Sequence, residues 1–241
     1  MGSAATGVGG RSIRLFLARV VSHGGVIPAG RGAEPFARDR TWASTAAVTD
    51  TAQSGRVPEA AQGLWMVLSA NQPAAAEHAE RMIGLAGRLA DHLALEDEER
   101  GELLTAARFH DIGECFLPAG LAERAVAFSE SEREAMRSHA ELGAEALSEA
   151  GMNVQVVDAV RAHHERWDGG GYPLGLRGEQ IPRAARILHV CEAWDAMRRH
   201  RVWAELITAD EALEEIQTCA GSQFDPEVAR AAVDCFAADA S

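Results

Sequence analysis

The sequence predicts an all-α domain of seven or eight helices. Three observations carry that reading. Apolar residues recur three and four positions apart in one segment after another beyond Pro58. Those segments open on Ser, Thr, Asp or Pro and several close on Gly or Asn. No stretch alternates apolar and polar residues as a half-buried strand does. Charge marks where the domain begins. Residues 1–57 hold seven Arg against three Asp or Glu, while the whole chain carries −13, leaving −17 on residues 58–241. The chain therefore reads as an N-terminal extension, 1–57, of unknown role and expected to be poorly ordered, followed by an acidic helical body, 58–241.

The first helix opens at Pro58-Glu59 with Leu64, Trp65, Val67 and Leu68, and stops near Asn71-Gln72-Pro73. A second, from about Ala74 to Leu95, places His78, Met82, Leu85 and Leu89 on one face at spacings of four, three and four. A third, from about Asp97 to Ile112, groups Leu103, Ala106, Ala107 and His110, with Gly113 suited to its end. Ser129 with Glu132 forms a capping box for a fourth, which turns Met136, His139, Ala146 and Leu147 inward before Gly151. The fifth runs from about Val154 to Glu165 and ends on the pair His163-His164. Pro182 begins a sixth with Ile187, Val190, Cys191, Trp194 and Met197 inside. Thr208 caps a seventh, and Asp225-Pro226 begins the last.

Composition narrows the function classes. A hydrophobic content of 47% excludes global disorder. The acidic body argues against binding nucleic-acid polymers, which takes clustered cations. An anionic substrate would be repelled unless bound cations reverse the local field. All 23 basic residues are Arg. The four cysteines show no CxxC spacing and read as buried free thiols in a reducing compartment. No apolar run is long enough to span a bilayer, so the expected location is the cytoplasm. Oligomeric state has no signature.

One stretch organises the rest: His163-His164-Glu165-Arg166-Trp167-Asp168-Gly169-Gly170-Gly171-Tyr172-Pro173, which contains the chain's only tyrosine. Its glycines permit a sharp backbone reversal. His78, His110, His139 and the His163-His164 pair all fall on or at the end of an apolar helix face, with Asp111 beside His110 and Glu192 on the inner side of the sixth helix. A lone histidine on such a face is ordinarily a satisfied core residue. Five together would leave buried nitrogens unpaired at a cost of ~1–3 kcal/mol each, unless a cation takes them. Imidazoles with carboxylates suit Fe, Mn or Zn. Glu165, Asp168 and Asp195 read as acceptors that orient imidazole N–H groups. His189 reads as a supporting or surface residue.

Taken in order, His78, His110-Asp111-Ile112-Gly113, His139, His163-His164-Glu165 through Gly171-Tyr172-Pro173, Ile181-Pro182, Asp195-Ala196 and Phe224-Asp225-Pro226 resemble the HD-GYP branch of the HD-domain phosphohydrolases, over about Leu64 to Val233. The resemblance implies an HD-domain-like helical bundle and a phosphodiesterase that opens cyclic di-GMP at a centre of two divalent transition metals, Fe or Mn, with Zn or Ni as substitutes. It implies that Asp111 bridges the ions, that His78, His110 and Glu192 complete one set, and that His139, His163 and His164 complete the other. A metal-bridging hydroxide would attack phosphorus, with Asp111 and His110 the catalytic residues. Gly171, Tyr172 and Pro173 would form the substrate wall, and Arg201 matches a phosphate-contacting arginine.

Four positions depart from the family pattern. Glu192 stands for an aspartate. Ala74 stands where members with three ions carry a glutamate, so two ions are expected. Glu114 replaces a substrate-facing lysine, a sign reversal worth about 5 kcal/mol against a phosphate by a Coulomb estimate at ~6 Å and a dielectric of ~20. Arg201-Val202-Trp203-Ala204 lacks the family's second arginine. These departures keep two further readings open: a metal phosphohydrolase for another nucleotide or phosphoester, and a non-catalytic module that binds a nucleotide or a signalling protein through the Tyr172 loop.

Overall fold

A computed structural model of the chain describes residues 57–118, 120–121, 128–198 and 207–240. Residues 1–56, and with them the expected disorder of the extension, lie outside the described residues, as do Arg201 and Ala204. The described residues contain no strand beyond an isolated bridge between Ala220 and Phe224.

The helices are α1 Glu59–Asn71, α2 Pro73–His92, α3 Asp97–Phe109, α4 Glu130–Arg137, α5 His139–Glu149, α6 Val154–Ala162, α7 Arg183–Arg198, α8 Ala209–Thr218 and α9 Pro226–Phe236. Short 3₁₀ turns cover Ile112–Phe116, Gly178–Gln180 and Ala237–Ala240. Helix α2 packs along α3 and α7, α6 packs along α5 and α3, and α8 and α9 close the far end against α7. Small residues hold these axes close: Ala86, Ala106, Ala107, Ala144 and Ala159 are fully buried between helices. Leu64, Met82, Leu89, Leu103, Leu147, Ile187 and Leu188 fill the space they leave. Each large apolar side chain so buried contributes roughly 1.5–3 kcal/mol. Trp194 stacks on Phe236 with ring centroids 5.0 Å apart, which fastens α9 to α7.

Helix starts follow the sequence. Ser129 and Thr208 each close a capping box, and Asp225 accepts the amides of Glu227 and Val228 at the start of α9. Helix ends differ. The stretch read as one fourth helix breaks at Ser138, whose hydroxyl donates back to the Ala135 carbonyl at 2.6 Å, so α5 begins on His139. Helix α3 stops at Phe109 rather than near Ile112, and the chain continues as the Ile112–Phe116 turn. Helix α6 stops at Ala162, which leaves His163 and His164 in the turn beyond it. No helix among the described residues is long and apolar enough to cross a membrane.

Candidate metal centre

Five segments deliver side chains to one place: α2, the end of α3, the start of α5, the turn after α6, and α7. His110, at the end of α3, donates its Nδ1–H to the Ala107 carbonyl at 2.8 Å. His139 does the same to the Met136 carbonyl at 2.6 Å, and His163 to the Val160 carbonyl at 2.5 Å. A histidine three residues past a helical carbonyl thus fixes its own ring and turns its Nε2 lone pair outward. The rule applies three times and aims three Nε2 atoms into one cavity. His78 reaches it from α2, with Nδ1 2.8 Å from Asp195 Oδ2.

Two groups of ligand atoms result, each within 4.8 Å internally: His78, His110 and Asp111, and His139, His163 and His164. Asp111 faces both. Its Oδ2 lies 3.0 Å from His110 Nε2 and 3.7 Å from His78 Nε2, while Oδ1 lies 3.5 Å from His139 Nε2 and 3.8 Å from His163 Nε2. In the second group His139 Nε2 is 3.2 Å from Nε2 of both His163 and His164. The Nδ1 atoms of His139 and His163 already donate, so neutral rings bring lone pairs, not N–H groups, together there. A cation resolves that convergence, and the imidazole–carboxylate donor set fits a divalent transition metal. This centre, at His78, His110, Asp111, His139, His163 and His164, is where a metal would be held.

The electrostatics divide the histidines of the centre. Burial disfavours a charge on His110, but the Asp111 carboxylate beside it outweighs burial and lifts its pKa to about 9. Asp111 is held well below the usual carboxylate range; burial opposes this, and His110, His139 and His78 overcome it. His163 and His164 are pushed well below the ordinary histidine value, first by burial and then by neighbouring imidazoles. Neutral imidazole is the form that ligates.

Asp195 accepts Nε and Nη2 of Arg81 at 2.7 and 3.0 Å as well as His78. Arg81 was not legible as part of the site; its one signal is a position one helical turn after His78, on the same face. Glu192 differs from what the resemblance implies. It stands outside both groups, with Oε2 3.6 Å from Nδ1 of His164, a member of the second set. The expectation that Glu165 and Asp168 orient imidazoles is corrected for both. Glu165 is 2% exposed and accepts the backbone amides of Leu174, Gly175 and Leu176 at 2.6, 3.0 and 3.1 Å, so it holds the loop. Asp168 pairs with Arg166 at 2.7 Å and accepts the Gly170 amide. Of the two readings of His189, supporting or surface, the structure favours the first. The Nδ1 of His189 donates to the His163 carbonyl at 2.9 Å, and its buried Nε2 has no hydrogen-bond partner among the described residues.

Tyr172 stacks on His164, with ring centroids 4.8 Å apart and planes 28° from parallel. Gly171 lets the chain pass here. A Cβ on it would meet the Arg166 amide nitrogen at 2.3 Å and the His164 carbonyl at 2.6 Å. The Tyr172–Pro173 bond is cis. Glu114 lies half-buried in the 3₁₀ turn, its amide donating to the Asp111 carbonyl at 2.9 Å.

The HD domain family model matches residues 63–228. A cyclic di-GMP phosphodiesterase of Thermotoga maritima is 34% identical over 156 residues, covering 64% of this chain and 42% of that protein. The cyclic di-GMP phosphodiesterase response regulator RpfG of Xanthomonas campestris is 39% identical over 149 residues, 61% of this chain and 39% of the relative. The 3'3'-cGAMP-specific phosphodiesterase 3 of Vibrio cholerae is 30% identical, covering 71% of this chain and 36% of its own. The chain thus spans about two fifths of the length of these curated relatives. Among solved structures, an HDG"Y"P protein from Bdellovibrio bacteriovorus matches with a TM-score of 0.57 at 20% identity, covering 73% of this chain and 57% of that one. The HD domain of the Listeria monocytogenes phosphodiesterase PgpH, solved with cyclic-di-AMP, matches with a TM-score of 0.54 at 18% identity, covering 73% and 94%. At these identities the solved structures establish a shared fold. With a family model over most of its length, the chain belongs to the HD domain family.

Proposed function

We propose that the chain is a metal-dependent phosphodiesterase that hydrolyses a cyclic dinucleotide, cyclic di-GMP in the first instance. Two divalent transition ions, Fe or Mn with Zn or Ni as substitutes, would be held by His78, His110 and Asp111 and by His139, His163 and His164. Glu192 would approach the second ion. The observation that carries the reading is the carboxylate of Asp111, whose two oxygens face different imidazole groups. When bound, a pair of such ions lowers the pKa of an attacking water and neutralises the phosphate.

The remaining roles fall to the chain. Asp111 and His110 lie where attack takes place and hold the charge of the centre. Asp195, gripped by Arg81, keeps His78 in the tautomer whose Nε2 ligates. Tyr172, Gly171 and Pro173 wall the cavity beside His164, and Glu165 holds that wall by three amides. Arg201, outside the described residues, would contact a phosphate. Relatives named for cyclic di-GMP and for 3'3'-cGAMP support the substrate class.

Glu114 favours a second reading, hydrolysis of a different cyclic dinucleotide or phosphoester, because an acid in place of a lysine repels a phosphate there. The test is turnover by purified protein loaded with Mn or Fe(II), with cyclic di-GMP beside other cyclic dinucleotides. Linear or mononucleotide product from cyclic di-GMP supports the first reading, and product from another substrate alone supports the second. Binding without turnover overturns both in favour of a signalling module acting through the Tyr172 loop.

A further inference from the structure

Five described guanidinium groups sit over aromatic rings: Arg88, Arg108, Arg137, Arg186 and Arg198. Four of them also hold an oxygen. Arg88 bonds Asp239, Arg108 pairs with Glu80, Arg186 pairs with Asp225, and Arg198 bonds the Ile207 carbonyl. Arg137 differs. It is exposed, lies 5.4 Å over the ring of Tyr172, and has no hydrogen bond or ion pair among the described residues. Glu130 feels its charge, but that carboxylate is bonded by Arg133 at 2.7 Å.

The position is a product of the break at Ser138. In a continuous helix, residues two apart point about 200° from each other, to opposite faces. Here Arg137 ends α4 and His139 begins α5, and the two reach neighbouring rings of one stack. The His139 ring lies 5.0 Å from that of His164, and Arg137 lies over Tyr172, which stacks on His164. A planar cation with uncommitted donors is thereby presented at the mouth of a centre in an acidic domain. That guanidinium lies over an aromatic ring, and Glu114 stands in the 3₁₀ turn that follows Asp111. A guanidinium fork matches the non-bridging oxygens of a phosphate.

We propose that Arg137 is a substrate-binding residue, and that its guanidinium, laid on Tyr172, receives a phosphate group of the cyclic dinucleotide at the edge of the metal centre. The inference rests on the functional reading above and adds to it a cation beside Tyr172. Arg137 acts on binding and not on the metal.

The experiment compares wild type with Arg137→Ala, Arg137→Lys and Arg133→Ala, all Mn-loaded, by metal content, thermal midpoint, and KM and kcat for cyclic di-GMP. One lost charge-assisted contact corresponds to a KM raised about 10- to 100-fold in Arg137→Ala, with kcat within about threefold of wild type. Metal content and midpoint stay unchanged, Arg137→Lys recovers part of the affinity, and Arg133→Ala behaves as wild type. Added salt should weaken wild type more than Arg137→Ala. An unchanged KM in Arg137→Ala, or a defect that follows lost metal, overturns the inference while leaving the functional reading in place. A wild-type protein that loads metal yet neither binds nor cleaves the dinucleotide overturns the functional reading itself, and this inference with it.

Discussion

Gly113 lies so close to the first turn of α5 that a methyl group on it would stand 1.9 Å from the carbonyl oxygen of His139. The same Cβ would meet the Gly143 amide nitrogen at 2.7 Å. Gly113 follows Asp111 by two residues, and His139 is the nearest member of the other imidazole group to Asp111 Oδ1, at 3.5 Å. The missing side chain therefore sets the distance between the two halves of the centre.

Gly113→Ala is expected to force backbone from backbone, at about 3 kcal/mol. For a domain of this size that lowers the thermal midpoint by ~6–12 °C. A thermal melt of the apo protein, compared with Gly84→Ala, where added bulk meets nothing within 4 Å, checks the number. Equal midpoints for the two would remove Gly113 from the account.

Much of this was legible in the sequence, for a physical reason. A helix that buries one stripe must repeat it every three to four residues, so His78, His110 and His139 declared their faces, and Pro, Ser and Asp declared the starts. What stayed illegible depends on side-chain direction where the backbone is irregular. Nothing in Arg137-Ser138-His139 marks a break by propensity, and Ser138 keeps helical dihedrals while its hydroxyl bonds back to Ala135. Glu165 and Asp168 flank the histidine pair as orienting acceptors would, but the loop turns them toward its own amides. His189 sits on a helix with apolar residues buried on both sides of it, so no polar face marked its inward position. Nothing in the sequence singled out Arg81 or Arg137.

Asp195→Asn should weaken the grip on His78 and on the ion His78 would hold. The amide oxygen can still accept from His78 Nδ1, but the charge shared with Arg81 is lost. Removing such a supporting carboxylate costs about 10–100-fold in metal affinity. Competitive metal titration should show one weakened site and one unchanged, with activity restored by excess metal. Two sites weakened equally would count against Asp195 serving His78 alone.

Glu165→Gln replaces a carboxylate that accepts three amides with a group that offers one oxygen and an opposing NH₂. Hydrogen exchange at Leu174, Gly175 and Leu176 should quicken by about tenfold or more. Metal content should hold, because Glu165 makes no hydrogen bond or ion pair to an imidazole among the described residues. Unchanged exchange at these three amides would show that other contacts fix the loop.

Asp168 carries a pH signature. The Arg166 guanidinium and then the Gly170 amide lower its pKa from 3.8 to about 2. A carboxyl depressed in the folded state stabilises above its unfolded value and loses that contribution as pH falls toward the folded value. Wild type should therefore melt above Asp168→Asn at neutral pH, and the gap should narrow as pH drops from 3.8 toward about 2. A gap that stays constant through that window would mean the pair with Arg166 contributes nothing.

Metal stoichiometry by elemental analysis, on wild type and on Asp111→Asn, His78→Ala and His164→Ala reconstituted with Mn or Fe(II), bears most directly on the shared carboxylate. Wild type should hold two ions per chain, with one lost on changing either histidine and both weakened together by Asp111→Asn. A wild-type chain that binds no transition metal, or an Asp111→Asn protein that retains both ions at full affinity, would contradict that expectation.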